Sequence, residues 1–145
     1  MITRHDVTIH APVERVWDVF TNVEEWPSWT ASVTEVRLLD GAAGLAVGTR
    51  ARIKQPRFPG LTWTVSAIEP GACWTWVTQS PGATTAASHE LKAIDGETTR
   101  VEQQIEQTGI LGAVVGRLTR RLTRRYLAME AAGLKELAEG RVTAS

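Results

Sequence analysis

The last third of the chain constrains its fold most. From Ile110 to about Glu139 there is no proline, and apolar residues recur at Leu111, Val115, Leu118, Leu122, Tyr126, Met129, Gly133 and Leu137. Steps of four and three are the period of an α-helix. Leu, Ala, Arg and Glu dominate the stretch, and all are good helix formers. Thirty residues at ~1.5 Å each make a rod of roughly 45 Å. A helix of that length needs a broad apolar surface to lie on, and the apolar stripe is expected to face it. Arg117, Arg120 and Arg124 fall opposite the stripe, and Arg121 and Arg125 flank it.

The preceding residues read as a sheet. Val7 and Ile9 alternate with Asp6, Thr8 and His10, which predicts a first strand over 3–10. Ala11-Pro12 ends it, and Pro12 suits the first turn of a helix. Val13, Val16, Trp17 and Phe20 then form a stripe, and Trp26 and Trp29 bracket Pro27. Two short helices are predicted within 12–29. From residue 32 to 108, turn dipeptides recur at Asp40-Gly41, Pro59-Gly60, Pro70-Gly71, Pro81-Gly82 and Asp95-Gly96. Runs rich in Thr, Val and Trp lie between them. They predict strands near 32–40, 49–55, 61–69, 72–80, 83–94 and 98–108, joined as antiparallel neighbours.

Two-residue turns at Pro70-Gly71 and Pro81-Gly82 would set Val65 opposite Trp76, Ala67 opposite Trp74, Trp74 opposite His89 and Trp76 opposite Ala87. One face then carries Trp63, Val65, Ala67, Trp74, Trp76, Ala87, His89 and Leu91, and the other Thr, Ser, Glu and Lys. This is an antiparallel sheet wet on one side. Odd-length loops at 56–60 and 95–97, with a bulge, would add Ala51, Ile53, Val101, Gln103 and Ile105 to the apolar face. A slip of one residue would reverse every facing, so agreement along five strands supports the register.

At 145 residues the chain is expected to be one domain over 1–145, ending in a tail at 140–145. Its 16 basic and 16 acidic residues cancel, so no global field argues for nucleic acid. No run reaches the ~20 apolar residues of a membrane span. The opening Met1-Ile2-Thr3-Arg4-His5-Asp6 has no apolar core of a secretory signal. Cys73 is the sole cysteine, which excludes an intrachain disulfide and fits a reducing, cytoplasmic setting. His5 and His10 would lie on opposite faces of one strand, so neither a metal site nor a cofactor is expected. There is no H-E-x-x-H, G-x-S-x-G, P-loop or G-x-G-x-x-G.

Strand, two short helices, six strands and a long helix is a specific order. With it, Val7-Thr8-Ile9-His10-Ala11-Pro12-Val13-Glu14-Arg15-Val16-Trp17, Trp26-Pro27-Ser28-Trp29, and His89 with Leu91 before Gly96-Glu97-Thr98-Thr99-Arg100-Val101 carry a resemblance. The chain resembles the START-like, birch-pollen-allergen-like helix-grip superfamily, in its bacterial polyketide cyclase/dehydrase branch. The resemblance covers essentially the whole chain. It implies an α+β fold in which a curved seven-stranded antiparallel sheet grips the long helix over an internal cavity for an apolar or aromatic ligand. Fold alone does not fix function.

Six tryptophans are many for such a chain, and tryptophan is large enough to shape a cavity. Trp63, Trp74 and Trp76 either line a pocket or fill the core beneath the helix. His89 is either an acid-base group and ligand handle or a histidine satisfied within the core. Gln103, expected across from it, needs partners if buried. Leu118, Leu122 and Met129 would supply the helix side of the pocket. The arginines 117, 120, 121, 124 and 125 form either a solvated face or a site for an anionic partner, including peripheral contact with a membrane. Two functions follow: a protein holding a small hydrophobic ligand, polyketide- or lipid-like, with or without cyclase chemistry; or a protein- or ribosome-interaction module working through the arginine face.

Overall fold

The computed structural model describes residues 1–140; residues 141–145 of the expected tail lie outside the described residues. Strand β1 (Ile2–Ile9) leads to helix α1 (Val13–Thr21), a single 3-10 turn (Val23–Glu25) and helix α2 (Trp26–Trp29). Strands β2 (Glu35–Leu38), β3 (Arg50–Lys54), β4 (Leu61–Glu69), β5 (Cys73–Ser80), β6 (Ala83–Asp95) and β7 (Thr98–Thr108) follow, then helix α3 (Gly112–Ala138). The strands form one antiparallel sheet in the order β1-β7-β6-β5-β4-β3-β2. This is the helix-grip arrangement.

Both Trp pairings across β5 and β6 stand as expected: Trp74 lies opposite His89 and Trp76 opposite Ala87. Ser80 pairs with Ala83 around Pro81-Gly82, and Gly82 takes the positive φ of +78° that a side chain would strain. The expected pairing of Ala67 with Trp74 is wrong. The turn after β4 holds three residues, so Glu69 pairs with Cys73, and a bulge at Ser66 absorbs the extra residue. Val65 keeps Trp76 as its partner, but Ile68 takes the place opposite Trp74, and Ala67 is exposed. The second irregularity falls at Ile94, next to a two-residue turn that pairs Asp95 with Thr98.

The apolar stripe drawn on the long helix also needs correction. Leu118 is 81% exposed. The residues turned to the sheet are Gly112, Gly116, Tyr126, Leu127, Glu130, Ala131, Leu134 and Ala138, about one residue on from the expected stripe, a turn of roughly 100°. Close approach explains the choice. A Cβ at Gly116 would stand 2.8 Å from the Met1 side chain and 3.0 Å from Gln107 Oε1. Glycine and alanine let the helix settle on β1 and β7, where leucine would hold it off.

The core is continuous from Ile9, Val16 and Phe20 through Trp74 and Trp26 to Leu134 and Ala138. It fills the space under the C-terminal half of α3 and leaves room under the N-terminal half.

Candidate functional site

That room is a cavity of about 280 Å³. Inward from the helix come Val115, Thr119, Thr123, Tyr126, Leu127 and Glu130. The two threonines are short, and across from them β5 and β6 bring Thr78, Ser80, Thr85, Ala87 and Ser88 to the wall beside the larger Trp76 and His89. Small residues on both sides leave the void. Gln55, Phe58 and Pro59, between β3 and β4, close one end. Tyr126 ties that loop to the helix: its hydroxyl accepts a hydrogen bond from the Arg57 backbone N–H at 3.2 Å, and Phe58 packs edge-on at 5.9 Å.

The three tryptophans divide between the two roles open to them. Trp63 and Trp76 stand in the wall, joined by Trp26. Trp74 is completely buried and is core. Phe20 meets it edge-on at 4.9 Å, and the His89 ring stacks on it at 3.9 Å and 12°. Of the expected helix residues, Leu118 points to solvent, and Leu122 and Met129 are half-buried outside the lining. All five arginines, 117, 120, 121, 124 and 125, are exposed.

His89 and Gln103 sit directly opposite each other on β6 and β7, and both reach the cavity. His89 Nδ1 is 3.2 Å from the Trp74 carbonyl oxygen. A carbonyl only accepts, so Nδ1 carries the proton and Nε2 is left as an acceptor. Burial pushes the His89 pKa down to about 3, against a small upward pull from that hydrogen bond. The ring is therefore neutral at physiological pH. Gln103 donates its Nε2–H to the Leu127 carbonyl at 3.4 Å, and its Oε1 is buried with no partner among the described residues. Each side chain thus keeps an acceptor, Nε2 of His89 and Oε1 of Gln103.

The residue the sequence reading missed is Glu130. It is buried on the cavity wall, and burial raises its carboxyl pKa to about 7, opposed by a hydrogen bond from Ser32. The Ser32 hydroxyl donates to Glu130 Oε2 at 3.3 Å and is itself 2.9 Å from the Thr30 hydroxyl. A signal existed. Glu130 follows Tyr126 by four residues and precedes Leu134 by four, so it shares their face. Among the described lining residues it is the sole acid, and none is lysine or arginine. No group of His, Cys, Asp and Glu among the described residues could hold a metal ion.

A carboxyl poised near neutral pH in an apolar cavity has what general acid-base chemistry requires. The family model for polyketide cyclase/dehydrase and lipid transport proteins matches residues 2–139. The chain belongs to that family. A curated protein of Streptomyces halstedii, provisionally named a polyketide cyclase, is 23% identical over 109 residues, which are 73% of this chain and 88% of that one. The fold of this family member is shared with the ZhuI aromatase/cyclase of a Streptomyces species, with a TM-score of 0.77 at 17% identity, covering 99% of this chain and 96% of that one. Norcoclaurine synthase of Thalictrum flavum superposes with a TM-score of 0.75 at 13% identity over 97% and 94% of the two chains. At such identities the likeness is one of fold.

Proposed function

We propose that the protein takes up a neutral, hydroxyl-bearing aromatic or polyketide-like molecule in the cavity, and that Glu130 moves a proton on it. The observation that carries this reading is the polarity of the wall. Trp26, Trp63 and Trp76 offer flat apolar faces. The Oε1 atoms of Gln103 and Gln107, buried on the wall with no partner among the described residues, call for hydroxyl donors on the ligand, because a buried acceptor left unpaired is costly. Among the described residues no cation lines the space and a carboxyl does, so a carboxylate or phosphate ligand would meet no counter-ion. This sets a free fatty acid below a neutral polyphenol of similar size.

In its ionised form Glu130 would remove a proton from a carbon beside a carbonyl group; in its protonated form it would return one to a departing hydroxyl. These are the two proton movements of a ring closure with loss of water. Membership of the cyclase/dehydrase family and the fold shared with an aromatase/cyclase support the reading. Isothermal titration with a dihydroxynaphthalene and with dodecanoate tests the polarity argument. Binding of the diol at least ~10-fold tighter, or about 1.4 kcal/mol, supports it; tighter binding of the carboxylate refutes it.

A further inference from the structure

The N-terminal end of α3 carries a surface that the cavity does not use. Ile110 is 95% exposed, Leu118 81%, Val114 52% and Leu111 45%. Val114 and Leu118 stand one turn apart on α3, and Ile110 and Leu111 lie in the turn just before its first residue, Gly112. Single exposed apolar residues are ordinary; four clustered at the start of a helix are a patch. Arg117 and Arg121 border it, and Arg120, Arg124 and Arg125 continue along the helix. No acidic residue lies between Glu106 and Glu130. None of the five arginines forms a salt bridge among the described residues.

We infer that this end of α3 docks the protein on an anionic lipid surface, with Ile110, Val114 and Leu118 entering the layer and the arginines meeting its headgroups. The arrangement is that of an interfacial helix, with apolar side chains flanked by cations whose long stems let the charge reach headgroup level. The apolar side chains stand out from a helix end, which suits insertion into a fluid layer. A second copy of the chain is disfavoured, because pairing the patch on itself would set arginines against arginines. RNA is disfavoured because no aromatic side chain stands among the arginines to stack on bases.

The placement also serves the cavity. Val115 and Thr119, on the same two turns as Val114 and Leu118, line it. A docked helix would hold that side of the pocket against the layer where apolar compounds collect. The docking itself stands apart from the ligand reading and is measured without a ligand.

The test is co-sedimentation of the full chain with phosphatidylcholine vesicles, with and without phosphatidylglycerol. Binding is expected only to the anionic vesicles, and it should weaken as salt is raised. Each arginine near the surface is worth about a five-fold change in affinity, so R120E together with R121E should abolish sedimentation. Leu118→Asp should weaken binding at least ~10-fold, the loss of one buried leucine, while leaving diol binding in vesicle-free solution unchanged. Three results would overturn the inference: no preference for anionic vesicles, an L118D variant that binds like the parent, or RNA or polyglutamate displacing the protein from vesicles at equal charge. Failure of diol binding with vesicle binding intact would remove the ligand reading alone.

Discussion

Ser32, in the segment after α2, donates a hydrogen bond to Glu130 on α3 at 3.3 Å, across 98 positions of the chain. The contact is buried, and among the described residues Ser32, itself held by Thr30, is the carboxyl's one hydrogen-bond donor. One neutral hydroxyl offsets little of the cost of burying a charge. The acid is therefore kept largely protonated until its pKa of about 7, within reach of either protonation state in the cell.

The pH dependence of stability follows with a definite sign. An unfolded glutamate titrates near 4.5 and Glu130 near 7. Between these values the folded chain binds more proton than the unfolded one, so its contribution is full below 4.5 and lost as pH climbs to about 7. Replacing Glu130 by Gln removes that loss. Relative to the parent, E130Q should gain on the order of 3 kcal/mol between acidic pH and pH 8, measured by urea denaturation at each pH. A pH-independent difference would mean the carboxyl is not held protonated.

His89 slopes the other way. Its folded pKa is about 3 against 6.5 unfolded, so its contribution is present above 6.5 and drains away as pH falls toward 3. Its ring resonances in NMR should stay those of a neutral imidazole protonated at Nδ1 down to at least pH 4. An inflection near 6.5 would show that water reaches the ring.

The helix phase is testable by truncation. Leu134 is completely buried and Leu118 is 81% exposed. Leu134→Ala should cost roughly 2–5 kcal/mol, and Leu118→Ala less than about 0.5 kcal/mol. Equal losses at both positions would put the helix in the wrong rotation.

Gly133 marks where α3 touches α2. A methyl group there would run into the Trp29 backbone carbonyl, which no side-chain rotation can relieve. Gly133→Ala should therefore destabilise by about 1–3 kcal/mol despite alanine's better helix propensity. A gain in melting temperature would show that the two helices are free to part.

The architecture was legible because its signals are local. Turn dipeptides bounded the strands, and the alternation around Trp74, Trp76, Ala87 and His89 set the register through β5 and β6. The bulge at Ser66 was not legible. It follows from a three-residue turn that Pro-Gly alone does not distinguish from a two-residue one. The helix rotation was not legible, because hydrophobicity alone is a poor guide to burial on α3. On α3 the large apolar residues Leu118 and Val114 are outside, while Gly112, Gly116, Thr119 and Thr123 face the sheet or the cavity. Over this first half of α3 size governs the inward face, since a helix over a cavity and beside a close-packed strand needs small residues there, whereas Tyr126, Leu127 and Leu134 fill that face further on. Glu130 went unseen for the same reason, lying one residue off the stripe as drawn.

If Glu130 moves protons, protein-dependent exchange of the central protons of an aromatic 1,3-diketone should be visible by NMR in deuterated buffer. A base works ionised, so the rate should rise with pH and level off above about 7. E130Q should lower it at least ~100-fold, the low end for general acid-base catalysis, while keeping the diketone bound. Unchanged exchange in E130Q would end the acid-base role and leave the cavity as a binding site.

Trp63 and Trp76 report on occupation of the cavity from its wall. Titration with a dihydroxynaphthalene, followed by tryptophan fluorescence, should give saturable one-to-one quenching at micromolar concentration, or about 8 kcal/mol of binding free energy. Trp76→Ala should weaken it and reduce its amplitude. Linear, unsaturable quenching that is the same in the parent and in W76A would contradict the account.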